Sequence, residues 1–200
     1  MTKLPINIII AGVGGQGNIL LSQIIAWAAI SRGYHSITGE IYGASQRGGS
    51  VMSHVRIGKE KIGPLVPLHK ADIILGLEPV ETLRIGIQYL NPTSSVIMNT
   101  RPIYPTEVSQ GLLKYPDVAL VVKMLKSVCR NFWALNASEL AIKAGSVRAV
   151  NLVMLGALAG TKMTPLETED YRQAILKLVD KLKDINIRAF ELGLAASRHL

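Results

Sequence analysis

The chain has 200 residues, 48% of them hydrophobic, with 22 lysines and arginines against 14 aspartates and glutamates and a formal net charge of +8. That length suits one α/β domain with a sizeable core, so 1–200 is read as a single unit with a helical tail over 165–200. The lone cysteine, Cys129, excludes an internal disulfide and any iron–sulfur or zinc cluster ligated by this chain's own thiolates.

From the N-terminus, Ile6 to Ala11 is a continuous, largely β-branched run, the pattern of a strand buried on both faces of a parallel sheet. It ends in glycines after six residues, which fits a strand and not a signal peptide. Gly12 to Gly17 follows, then Asn18 to Arg32 carries apolar residues at helical spacing until Gly33 stops the helix. His35 to Ile41 is a second strand. Tyr42 to Ser50 is a loop loaded with Gly43, Gly48 and Gly49.

Val51 to Ile57 alternates as a strand, with Met52, His54 and Arg56 on a wetter face. The Gly58-Lys59-Glu60-Lys61 turn predicts a short partner strand near Ile62 and thus an antiparallel hairpin at a sheet edge. Asp72 to Leu77 and Ser95 to Asn99 are further buried strands. Glu78-Pro79 opens a helix with proline at its permitted first position, running to about Leu90. Pro116 opens another that continues to about Arg130, with Cys129 buried in it as an inert thiol.

Asn131 to Leu135 is a short strand. Asn136 with Glu139 forms a cap and its reciprocal partner for a helix over Ala137 to Ala144, ended by Gly145. Arg148 to Gly160 is a helix apolar nearly all round, hence interior, with Asn151 as its lone amide bonded to a cap or a neighbouring helix. Thr164, Pro165 and Glu167 cap a long amphipathic tail. Strands alternating with helices predict a three-layer, Rossmann-like, mostly parallel sheet with an edge hairpin and a helical C-terminus.

The nearly uncharged stretches, Asn18 to Ser31 and Ala149 to Thr161, fall short of the ~20 apolar residues a membrane span needs, so no membrane is expected and the setting reads as cytoplasmic. The positive charge is scattered and mixes with acids after Glu167, which argues against nucleic acid and for a solvated basic face or an acidic protein partner.

Two glycine-rich bends could carry function. Gly12-Val13-Gly14-Gly15-Gln16-Gly17 fits the G-x-G-x-x-G pattern directly between a strand and a helix, where backbone amides favour an anion, and Glu40 stands near the end of the second strand where a nicotinamide enzyme keeps a ribose-binding acid. The same glycines would equally serve a tight crossover. The second bend runs through Gly43, Ser45, Gln46, Arg47, Gly48, Gly49 and Ser50, and its amides and the forked Arg47 could cradle a phosphate, a carboxylate or a partner's backbone. His54 and His69 have no second ligand at metal spacing and read as structural. No catalytic residue and no metal ligand is singled out.

Taken in order, Gly12 to Gly17, Glu40, Gly43, Gln46-Arg47-Gly48-Gly49-Ser50-Val51, Val55-Arg56-Ile57, Asp72 before Glu78-Pro79, then Arg148-Ala149-Val150-Asn151 and Met154-Leu155-Gly156-Ala157 resemble the gamma domain of pyruvate and 2-oxoacid:ferredoxin oxidoreductases. Within that family the wording is most similar to the small subunit of the indolepyruvate branch. The resemblance implies a subunit that carries no cofactor itself and is inactive alone. A larger partner would hold thiamine diphosphate and iron–sulfur clusters, decarboxylate the 2-oxoacid, pass the acyl group to coenzyme A and send electrons to ferredoxin.

The chain agrees, having no thiamine-type G-D-G. On this reading the two bends lie together on the sheet rim and face the partner or a phosphate-bearing ligand, and self-association of the isolated chain stays open. The competing readings are a free-standing NAD(P)-binding dehydrogenase built on Gly12 to Gly17 and Glu40, and a phosphate-ligand binding module without turnover.

Overall fold

The computed structural model describes residues 4–43 and 49–197. Its centre is β1 (Ile6–Val13), eight residues buried throughout, as the unbroken apolar run requires. The sheet has six strands. β2 (His35–Tyr42) and β3 (Ser50–Gly58) lie to one side of β1, and β4 (Ile73–Gly76), β5 (Ser95–Asn99) and β6 (Asn131–Leu135) to the other, in the order β2-β3-β1-β4-β5-β6. β1, β4, β5 and β6 pair in parallel, whereas β3 runs antiparallel to both of its neighbours.

The edge hairpin therefore exists but is built by β2 and β3, not by β3 and a strand near Ile62. Pro64 and Pro67 explain the correction, since two residues without an amide donor within one short run cannot supply a ladder. Residues 59–72 instead form a strap across the face of β3 that carries Met52, His54 and Arg56, so that face is covered and not the wetter one. Arg56 Nη1 donates to the carbonyls of Gly63 (2.9 Å) and Leu65 (3.3 Å), and Val66 N donates to His54 Nδ1 at 3.2 Å, so His54 is fully buried.

Helices cover both faces, giving the expected three layers. On one side α1 (Asn18–Ser31), α5 (Ala137–Ala144), α6 (Val150–Thr161), α7 (Thr168–Leu178) and α8 (Lys183–Ser197) pack over Ile8, Ile10, Val55, Leu75 and Ile97. On the other, α2 (Pro79–Tyr89) and α4 (Val118–Val128) cover Ile9, Ile74, Val96 and Met98. A short α3 (Thr106–Ser109), absent from the sequence reading, sits in the loop after β5.

The caps are mostly where the sequence puts them. Glu78 accepts from Glu81 N at the start of α2, and Asn136 accepts from Glu139 N before α5, which Gly145 ends. The tail differs from its prediction. Glu167 and Asp170 form the reciprocal cap of α7, Thr164 pairs with the Tyr171 hydroxyl at 2.7 Å, and the tail breaks at Leu182 (φ 55°) into two helices. Cys129 caps α4 and does not lie within it, and burial pushes its thiol pKa up.

The break lets α8 fold back along α6. A Cβ at Gly156 would stand 1.9 Å from Phe190 O, and one at Gly193 would stand 1.9 Å from Val153 O, so the two backbones touch. α6 is thus clamped between α8 and the sheet. Its N-terminal end reaches the first glycine bend.

Candidate functional site

The C-terminal end of β1 is where parallel α/β sheets open a crevice, because the neighbouring connections leave in different directions. Val13 there pairs with Ser50 at the start of β3, which brings the ends of the two glycine bends side by side. Gly14 N donates to Gly49 O at 2.8 Å and ties them directly. The expected juxtaposition of the bends is present.

Gln16 is a brace within the first bend. Its Oε1 accepts from Val13 N and its Nε2 donates to Leu77 O, both at 2.9 Å, which pins the bend to the end of β4. Gly12 is required by that brace, since a Cβ would lie 2.7 Å from Gln16 Oε1 and 2.9 Å from Asn18 Oδ1. Gly17 has φ 82°, and a Cβ on it would lie 2.5 Å from Asn151 Nδ2. Two of the four glycines in this bend, Gly12 and Gly17, therefore serve its own packing. Gly15 has φ 99°, and a Cβ on it would have no atom of the described residues within 4 Å.

Between the bends lies a cleft of about 510 Å³ whose walls include Gly14, Gly15, Asn18, Ile19, Tyr42 and Gly43. Tyr42 is 65% exposed and Ile19 44% exposed, so the cleft has an apolar lip. At its base the first amides of α1 point outward without intrahelical partners, as at any helix start, and the first turn carries no acidic residue. Asn18 Nδ2 donates to Val51 O at 3.2 Å, while its buried Oδ1 has no partner among the described residues. The arrangement offers main-chain donors to an acceptor group entering from outside.

The other residues singled out from the sequence are distributed unequally. Glu40 does not line this cleft. Its two carboxylate oxygens accept from the Ser22 hydroxyl (2.7 Å) and the Ser53 hydroxyl, tethering the edge strand to α1 and β3. A ribose-gripping role would need that carboxylate free. Ser45, Gln46, Arg47 and Gly48 lie outside the described residues, while Gly49 and Ser50 join the second bend to β3.

Asn151, expected to bond a cap or a neighbouring helix, reaches from α6 to the O of Gly17, the N-cap of α1, at 3.5 Å and accepts from Leu152 N. Asn18, Ile19 and Tyr42 are cleft residues that the sequence reading did not single out. For Asn18 a signal existed: an amide directly after the motif, at the first turn of its helix.

Beside the cleft, Glu78 is saturated. Oε1 accepts from Tyr115 OH and Ile103 N (3.3 Å), and Oε2 from Glu81 N (3.0 Å). Burial, then Glu78, pushes the Tyr115 phenol pKa up. The pair fastens the 100–116 loop to the rim and leaves no free base. Among the described residues no group of three or more His, Cys, Asp and Glu side chains could hold a metal, and no helix is long and apolar enough to cross a membrane.

The pyruvate ferredoxin/flavodoxin oxidoreductase family matches residues 7–196. The chain belongs to this family. It is 42% identical over 196 residues to the indolepyruvate oxidoreductase subunit IorB of Pyrococcus horikoshii, an alignment covering 97% of this chain and 96% of that one. A ketoisovalerate oxidoreductase subunit VorA of Methanothermobacter marburgensis is 29% identical, with 94% of this chain matching 36% of the longer protein.

Among solved structures, the gamma subunit of a keto/oxoacid ferredoxin oxidoreductase from Geobacter sulfurreducens aligns with a TM-score of 0.71 at 23% identity, covering 98% of this chain and 99% of the other. A 2-oxoglutarate:ferredoxin oxidoreductase from Magnetococcus marinus aligns at 0.74 and 22% identity, this chain matching 32% of that one. At those identities the likeness establishes the fold. The family and its curated relatives establish an oxidoreductase subunit.

Proposed function

We propose that this chain is the cofactor-free small subunit of a 2-oxoacid:ferredoxin oxidoreductase, with indolepyruvate or a related aryl 2-oxoacid as substrate. Supporting the substrate class is the identity to indolepyruvate oxidoreductase subunits along nearly the whole of both chains. A single cysteine cannot supply the thiolates of an iron–sulfur cluster, which puts the clusters on a larger partner, and the family resemblance with the lack of a thiamine-type G-D-G puts thiamine diphosphate there too. The 2-oxoacid is decarboxylated there, its acyl group passes to coenzyme A, and electrons leave to ferredoxin.

The chain's own part is carried by one observation: the two glycine bends are tied together by Gly14 N to Gly49 O and open a cleft lined by Gly15, Gly17 and the first residues of α1. Such a rim binds acceptor groups brought by the partner complex, coenzyme A phosphates among them, with Gly15 and the first amides of α1 as donors. Ser45, Gln46, Arg47, Gly48, Gly49 and Ser50 of the second bend are proposed as further contacts for the same groups. The whole chain acts as one domain of a cytoplasmic assembly.

Co-purification of this chain with a thiamine diphosphate and iron–sulfur polypeptide, and 2-oxoacid-dependent ferredoxin reduction by the pair but not by either alone, tests the reading. Tight binding of NAD(P)H to the isolated chain would replace it with the dehydrogenase alternative.

A further inference from the structure

A second cleft opens on the opposite rim of the sheet. It lies where α2 and α4 end, beside the turns that lead into β5 and β6, whereas the glycine bends occupy the C-terminal end of β1. Its volume is about 510 Å³, with a floor of Gly86, Leu90 and Leu125. A Cβ at Gly86 would stand 3.0 Å from both leucine side chains, so no side chain can fill the floor without displacing them.

The walls are apolar residues at helical spacing, Leu83 and Ile87 on α2 and Met124 and Val128 on α4, and Leu120, one turn before Met124, continues the α4 stripe beyond the cleft. Ile87 is 66% exposed, Leu120 52%, Val128 48% and Met124 43%, an apolar track left open to water. Parallel stripes four residues apart are what a helix laid in a groove meets with its own i, i+4 and i+7 anchors.

Charge narrows the occupant. Lys70, Arg84, Lys123, Lys126 and Arg130 stand on these helices and turns, all exposed. Their acids are engaged elsewhere: Glu81 is buried and pairs with Arg84, Asp72 accepts from Asn7 N, and Asp117 caps the far end of α4. Among the described residues Lys70, Lys123, Lys126 and Arg130 make no ion pair, and Lys126 rests over the Phe132 ring at 5.6 Å. Lys126, in the last turn of α4, complements that helix's C-terminal dipole. The remainder repels a second copy of this basic chain and attracts an acidic one.

We propose that the groove between α2 and α4 docks an acidic amphipathic helix of another polypeptide. This surface is separate from the glycine bends and does not rest on the oxidoreductase reading.

The test uses the full chain and two synthetic helical peptides of about 18 residues, long enough to span the stripes. Both carry leucines at i, i+4, i+7 and i+11, and one has glutamates where its twin has lysines. Fluorescence anisotropy should detect binding of the glutamate peptide only, weakening as salt rises from about 50 to about 300 mM. Ile87→Glu should weaken it by roughly tenfold or more, as loss of a central anchor does. Lys123→Glu with Lys126→Glu should do the same through charge, giving a second route should either variant misfold.

Equal binding of both peptides, or binding indifferent to Ile87→Glu in a folded protein, overturns the proposal. So does a dimer of the chain, seen in sedimentation and broken by Ile87→Glu, which would assign the groove to a second copy.

Discussion

Replacing Gly17 by alanine probes how the first bend is held. Gly17 sits at φ 82°, where an L-residue pays about 1–2 kcal/mol, and its new Cβ would lie 2.5 Å from Asn151 Nδ2, an overlap of the kind that costs about 1–3 kcal/mol in a packed interior. The single variant should therefore lose about 2–5 kcal/mol. Asn151→Ala removes the overlap but not the backbone penalty. In the double variant the clash disappears, so the two substitutions should couple favourably by about 1–3 kcal/mol. Urea unfolding of the four proteins, followed by circular dichroism at constant slope, measures the coupling. Strict additivity would refute the account, because it would mean that α6 does not press on the bend.

Three further outcomes follow from the same geometry. Gln16→Ala orphans Val13 N, while Leu77 O keeps Asn99 Nδ2 at 3.1 Å, so the loss should be about 1–3 kcal/mol in a denaturant titration, with hydrogen exchange quickening at Val13. Tyr42→Ala, at a residue 65% exposed, should change stability by no more than about 0.5 kcal/mol yet weaken assembly with the partner subunit, readable by calorimetry.

His54 supplies a pH dependence. Burial, then the nearby Arg56, holds its pKa below the ordinary ~6.5, so the unfolded chain takes up a proton that the folded chain refuses. Stability should be complete above about pH 6.5 and fall as the pH drops below it. His54→Asn, which keeps an acceptor for Val66 N, should flatten that part of the curve. An unchanged slope would show that other groups cause it.

Much of the architecture is legible because short-range signals agree with the long-range result. The unbroken run Ile6 to Ala11, the glycine at 33 and the Asn136 and Glu139 pair each specify a local event that tertiary packing then keeps. What is not legible depends on partners far along the chain. Nothing within 50–62 says that β3 inserts between β2 and β1. A turn after β3 suggests a local hairpin, and only the prolines at 64 and 67 argue for a strap. The tail reads as one amphipathic helix because its apolar spacing continues through Leu182, and the break is set by the return of α8 onto α6.

The site divides in the same manner. The motif glycines are visible in the sequence, but not that Gly12 and Gly17 yield to Gln16, Asn18 and Asn151, the last 134 residues away. Glu40 occupies a position suited to a ribose contact and is instead spent on two serine hydroxyls, one in α1 and one in β3, which spacing alone does not bring together. The apolar lip formed by Ile19 and Tyr42 escapes a reading that looks for polar chemistry.

The most direct measurement is reconstitution with a candidate partner polypeptide that carries thiamine diphosphate and iron–sulfur clusters, assayed for indolepyruvate-dependent ferredoxin reduction with coenzyme A present. The pair should turn over and each chain alone should be silent, with Gly15→Trp, whose side chain would enter the cleft, abolishing the activity of the pair while leaving this chain folded. Full activity of the pair with the cleft filled would contradict the rim's role, and failure of the two chains to associate at all would contradict the subunit reading itself.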